Sequence, residues 1–141
     1  MEMVMGEGKG LASMARDSLL GLSDHVYMAK VAAAAFADPE GWNGRKIGLV
    51  SDEVRVQEAL DVLSDVIGDG RVLRAEFRTD EEMAGALAAG EWMIFATQKF
   101  VRDMADYVTP VAEVAMVPGE LTSWREFLEL EKEAVGATYR K

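Results

Sequence analysis

Three side chains able to move protons fall within six residues: His25, Tyr27 and Lys30, in the stretch His25-Val26-Tyr27-Met28-Ala29-Lys30. An imidazole beside a phenol can transfer protons near neutral pH with no cofactor, which would suit isomerisation, dehydration or cyclisation. Tyr27 and Lys30 are three apart and share a helix face. His25 is two residues from Tyr27, about 200° around a helix axis. The three therefore converge only if the helix starts after His25. The competing reading puts His25 in the first helical turn, with Tyr27 and Lys30 bordering the buried stripe. Asp24 stands just before them. A second group of polar and aromatic candidates lies on a later helical region: Trp92, Phe95, Lys99, Arg102 and Asp103. Lys99 and Asp103 are an i, i+4 pair of the kind that is commonly a solvated surface ion pair. Trp92 fits a core position better than a ligand platform.

Other chemistries are closed off by composition. The 141 residues include no cysteine and one histidine. Disulfides and thiolate nucleophiles are thereby excluded, and a zinc ion would need three carboxylates. A net charge of -10 disfavours nucleic acid and anionic membrane surfaces, both of which select clustered Lys and Arg. No apolar run approaches the roughly 20 residues that span a bilayer. Met1-Glu2-Met3-Val4-Met5 has neither the basic nor the apolar part of a signal peptide. A cytoplasmic location follows as the expectation. Nine methionines suit an adaptable apolar surface or a loosely specified core.

The elements that would position these residues follow from pattern. Residues 1–22 read as a flexible or partly ordered, glycine-rich arm, and a single domain is expected over 23–141. Gly6-Glu7-Gly8-Lys9-Gly10 lacks the buried strand and the Gly-Lys-Ser/Thr ending of a phosphate loop. A helix starts at Ser23 or Asp24 as N-cap, with Val26, Ala29, Ala33 and Phe36 as its buried stripe. Asp38-Pro39-Glu40-Gly41 ends it. Lys46-Ile47-Gly48-Leu49-Val50 reads as a buried strand. A helix opening at Ser51 or Asp52 should bury Val56, Ala59, Leu60, Leu63, Val66 and Ile67 and stop at Gly68. Leu73, Ala75 and Phe77 alternate with Arg74, Glu76 and Arg78, as in a strand with one wet face. Thr79 with Glu82, and Ser123 with Glu126, are capping boxes. The first opens a helical region to about Tyr107, broken near Gly90. The last helix packs Trp124, Phe127, Leu128 and Ala134. The fold class expected is α+β, a small mixed sheet of short strands packed against about four helices in one domain.

The order of these pieces resembles the C-terminal half of NmrA-like proteins, the atypical short-chain dehydrogenase/reductase group. "KVAAAAFADPEGWNGRKIGLVSDEVRVQEALDVLSDVIG" is similar to that family's helix, D-P turn, N-G-K strand and following helix. "VPGELTSWREFLELEK" is similar to its closing segment. The resemblance spans roughly residues 20–131. About 22 residues precede the first matched helix, too few for a Rossmann strand–helix–strand unit. The expectation is a chain without the cofactor-binding half, holding no nicotinamide and catalysing no hydride transfer. Two positions depart from the family pattern: Tyr27 stands where an aspartate is usual, and Val54-Arg55 replaces a Leu-Thr pair.

The resemblance implies a substrate cleft near His25, Tyr27 and Lys30, and an apolar face that a nucleotide-binding domain would otherwise cover. Two functions follow as expectations. One is a cofactor-independent acid/base enzyme of secondary metabolism (a cyclase, isomerase or dehydratase) acting on a hydrophobic, polyketide-like or aromatic molecule. The other is a non-catalytic ligand- or protein-binding regulatory domain. A functionless remnant is the third reading. The expected partner is a second copy in a homodimer, or a full-length reductase.

Overall fold

The computed structural model describes residues 2–4, 8–45, 48–90 and 121–139, with side chains from Gly8 onward apart from 10 and 11. These residues form an α+β domain with five short strands and six helices among them. Three strands make a mixed sheet, β1 (Glu2–Val4), β2 (Lys9–Ala12) and β5 (Arg74–Phe77), in the order β1-β2-β5. β1 runs antiparallel to β2, and β2 runs parallel to β5 with Lys9 opposite Arg74 and Ala12 opposite Phe77. β3 (Leu19–Leu22) and β4 (Asp52–Arg55) form a separate antiparallel pair, with Leu20 opposite Val54. Residues 1–22, expected as an arm, thus supply three strands, and Ala12, Ser13 and Met14 are buried. The parallel ladder to β5 accounts for this, because it carries the apolar end of β2 into the core.

The core is organised by α3 (Val56–Ile67). Its Val56, Leu60, Leu63, Val66 and Ile67 are each no more than 3% exposed, and they meet Ala12, Met14, Leu73, Leu128 and Val135. This is the stripe the 3.6-residue period predicts, except that Ala59 is half-buried. Gly68 ends the helix in the left-handed region at φ 66°, a conformation glycine adopts without strain. The helix starts later than expected. Ser51 donates its N–H to Leu22 O at 2.7 Å, and the chain then stays extended as β4. Residues 48–50 carry no strand, and residues 46 and 47 lie outside the described residues. The ladder chose Asp52–Arg55 because Val54 opposite Leu20 sets the register against the core. Arg55 takes the N-cap position although arginine has no acceptor. Glu58 compensates by accepting the Arg55 N–H at 3.0 Å and a guanidinium bond at 3.2 Å.

α3 also finishes the sheet. Gln57 Oε1 accepts from Ala75 N–H at 2.9 Å, and its Nε2 donates to Leu73 O at 3.1 Å. Ser64 Oγ accepts from Leu73 N–H at 3.0 Å. These are the groups on the side of β5 away from β2, which instead takes Arg74 N–H through Gly8 O and Arg78 N–H through Ala12 O. A side-chain amide therefore occupies the place of a neighbouring strand.

The capped helices start where the boxes predict. α4 (Asp80–Ala88) is capped by Thr79, with Thr79 Oγ accepting from Glu82 N–H at 3.2 Å and Glu82 accepting from Thr79 N–H at 2.7 Å. It stops short of a left-handed Gly90 at φ 75°; residues 91–120 lie outside the described residues. α5 (Trp124–Leu130) is capped by Ser123, and α6 (Lys132–Tyr139) follows it. Leu128 and Val135 are buried on α3, whereas Ala134 is exposed.

α1 (His25–Ala37) departs most from expectation, and the four-residue α2 (Pro39–Trp42) follows it. Asp24 is the N-cap, as predicted, but the inward face is Tyr27 and Val31, packed with Trp42 and Leu49. The expected buried stripe points outward: Val26 is 47% exposed and Phe36 84% exposed, with Ala29 and Ala33 exposed between them. The physical reason is that α1 is apolar nearly all round, so spacing alone does not choose a face. The large phenol of Tyr27 does.

Candidate functional site

The polar constellation of the molecule is built where β3 hands over to α1. Asp24 leaves the strand in extended conformation, φ -76° and ψ 136°, and its Oδ1 accepts from Val26 N–H at 3.0 Å, capping the helix. Its Oδ2 accepts from the Thr122 hydroxyl, also at 3.0 Å. Its own N–H donates to Ser51 Oγ at 3.3 Å, and the Ser23 hydroxyl donates to the Leu49 carbonyl. A second aspartate works in parallel. Asp52 Oδ1 accepts from Glu53 N–H at 2.9 Å, and Oδ2 accepts from Trp124 N–H at 2.8 Å. Trp124 Nε1 in turn donates to Ala59 O at 3.0 Å. Two carboxylates therefore fasten the start of α5 to the β3–β4 pair and to α1.

Between these groups lies a small cleft of about 90 Å³, with Ser23, Asp24 and Ser51 on one side and Thr122, Trp124 and Phe127 on the other. The Trp124 and Phe127 rings stack at 5.9 Å with 15° between planes. His25 meets Phe127 edge to face at 6.2 Å and 84°. His25 Nδ1 is 3.3 Å from Asp24 Oδ1, and the imidazole side chain is 70% exposed while the Asp24 side chain is 9% exposed. The Val26 N–H holds the Asp24 carboxyl below the usual carboxylate range. Partial burial opposes this, while the Thr122 hydroxyl, the neighbouring imidazole and the Tyr27 amide reinforce it. The site thus holds an ionised carboxylate lined by hydroxyls, with an imidazole at its rim.

The sequence candidates are distributed rather than gathered. His25 stands outside against Phe127. Tyr27 is 1% exposed inside the α1 cluster, where burial pushes its phenol up. Lys30 is exposed. None of the three lines the cleft. His25 and Tyr27 diverge because His25 is already the first helical residue, which fixes the 200° turn between them. Asp24 is at the centre of the site, although as a cap and clasp. Trp92, Phe95, Lys99, Arg102 and Asp103 lie outside the described residues. Among the described residues no group of three or more His, Asp or Glu side chains could hold a metal ion, and no helix is long and apolar enough to cross a membrane.

Sequence reasoning missed Ser51, Asp52 and Thr122. Only Thr122 carried a signal, as part of the Leu-Thr-Ser run before the second capping box. Its bond to Asp24 spans 98 positions, a separation that no local periodicity reports. Compared with protein-family models, curated proteins and solved structures, the chain matches none.

Proposed function

We propose that this chain is a non-catalytic binding domain of the NmrA-like C-terminal type, which docks a protein partner through the outer face of α1. The observation that carries this reading is the exposure of Val26 and Phe36 on one face of α1, with the exposed Ala29 and Ala33 between them and Lys30 to the side. Apolar surface costs roughly 25 cal/mol per Å² in water. Contiguous patches of it mark interaction sites on folded proteins. The resemblance to NmrA-like proteins supports the same reading, since that group includes co-regulators that bind proteins. A cytoplasmic location belongs to the proposal.

The test is affinity purification from native extract with the full chain, wild type against Phe36→Asp. A stoichiometric protein, a second copy of the chain included, that is retained by the wild type and lost by the variant supports docking. A partner held equally by both removes it, as does the absence of any partner together with a full chain that stays monomeric at high micromolar concentration.

One observation favours the second reading, a cofactor-independent acid/base enzyme acting on a hydrophobic molecule. It is the contact of His25 Nδ1 with Oδ1 of Asp24, a carboxylate that lines the hydroxyl-bearing cleft. A co-purifying small molecule whose conversion is abolished by His25→Ala would support that reading; unchanged turnover in His25→Ala would exclude it.

A further inference from the structure

We infer that the occupant of the α1 face is a second copy of this chain, paired antiparallel through α1 about a twofold axis near Val31. The inference rests on the docking reading above and names its partner. Its ground is electrostatic. The chain carries a net charge of -10, so most of its surfaces repel a second copy. Each of α2 to α6 contains at least one Asp or Glu, as in Pro39–Trp42 with Glu40 and Asp80–Ala88 with three in its first turn. α1 contains none over its 13 residues, and His25 and Lys30 are its only basic side chains. Among the described helices it alone can meet its own image without bringing carboxylates together.

Shape agrees with charge. Val26, Ala29, Ala33 and Phe36 fall within about 80° of arc around the axis, opposite Tyr27 and Val31. A twofold pairing is isologous, so each contact is made twice. With the axis midway between 26 and 36, Ala29 faces Ala33 of the second copy and Phe36 faces Val26. The small pair lets the backbones approach at the centre, and the large pair fills both ends. Lys30 lies to the side of this seam, where its stem covers the flank and its ammonium reaches water.

A 13-residue helix is about 20 Å long. One such pair falls below the ~1,200 Å² of a standard interface, so the dimer is weak and reversible.

The experiment uses the full chain in light scattering and sedimentation from low to high micromolar concentration, wild type against Phe36→Asp, with thermal melts confirming that both are folded. It also uses Ala29→Cys and Ala33→Cys chains, which are clean reporters because the sequence has no cysteine. The expected result is a mean mass rising from one chain towards two, loss of that rise in Phe36→Asp, and oxidative disulfide cross-linking several-fold greater in a mixture of the two cysteine chains than in either alone, since a disulfide needs Cβ atoms about 4 Å apart. Cross-linking in each chain alone as strong as in the mixture would mean parallel pairing and overturn the inference. So would a dimer that survives Phe36→Asp. A wild type that stays monomeric also overturns it, and then the extract purification separates the two failures. A different protein lost with Phe36→Asp leaves the docking reading standing, whereas no partner at all ends both.

Discussion

α1 and α3 are of nearly equal length, 13 and 12 residues, yet one displays its apolar residues and the other hides them. α3 alternates charge with bulk, so a single face can be dry: Glu58, Asp61 and Asp65 stay out while Val56, Leu60, Leu63, Val66 and Ile67 go in. α1 has alanine on every side, and its orientation rests on Tyr27 and Val31 and on the Asp24 cap. A helix is oriented by contrast between its faces, and where contrast is weak one bulky residue decides. The same comparison separates stability from interaction. α3 spends its apolar surface inside the molecule, and α1 leaves much of it available outside.

The comparison breaks most sharply in α3. Leu60→Ala should cost about 2–5 kcal/mol in denaturant unfolding, because its side chain is 2% exposed in the principal core. Tyr27→Ala should cost less, about 2 kcal/mol, since its cluster contains one other buried residue and two half-buried ones. If it costs as much as Leu60→Ala, α1 belongs to the core proper. Ser123→Ala should cost about 1 kcal/mol through loss of the α5 cap. Phe36→Asp should change stability by less than about 0.5 kcal/mol while abolishing association, which is the clearest sign that this face serves contact and not folding.

The two ends of the pH scale probe the same two regions. The carboxyls of Asp24, Glu58 and Glu126 are held low, chiefly by Val26 N–H, Arg55 N–H and the Ser123 hydroxyl respectively. Their contribution is present above the ordinary carboxyl range of about 4 and is lost as pH falls through the lower folded values. Tyr27 is raised by burial, so its contribution is complete below about pH 10 and disappears as pH climbs through the folded value. Melting temperature against pH should therefore fall at both ends. Asp24→Asn should soften the acid limb and Tyr27→Phe the alkaline one. An alkaline limb unchanged by Tyr27→Phe would place that loss elsewhere.

What the sequence disclosed was local. The boxes at Thr79 and Ser123, the stop at Gly68 and the α3 stripe each depend on residues within a few positions of one another, and each is present. The alternation of Leu73, Ala75 and Phe77 likewise became β5. What it concealed was decided at a distance. Residues 48–50 of the expected strand are not paired, and Asp52–Arg55 is the strand instead, because pairing with β3, some thirty positions earlier, set the register. The clasp of Asp24 with Thr122 and of Asp52 with Trp124 joins residues 98 and 72 positions apart. The resemblance to NmrA-like proteins drew attention to the stretch around His25. It did not distinguish a capping aspartate from a substrate-binding one.

Gln57 gives the molecule a property of a different kind. With its amide seated on Leu73 O and Ala75 N–H, much of the outer rim of β5 offers no vacant rung to an unfolded neighbour. Open rims are where misfolded chains stack into fibrils. Chain-to-chain contact is then directed away from the ladder, and Gln57→Ala should reveal the guarded rim as faster aggregation on mild heating.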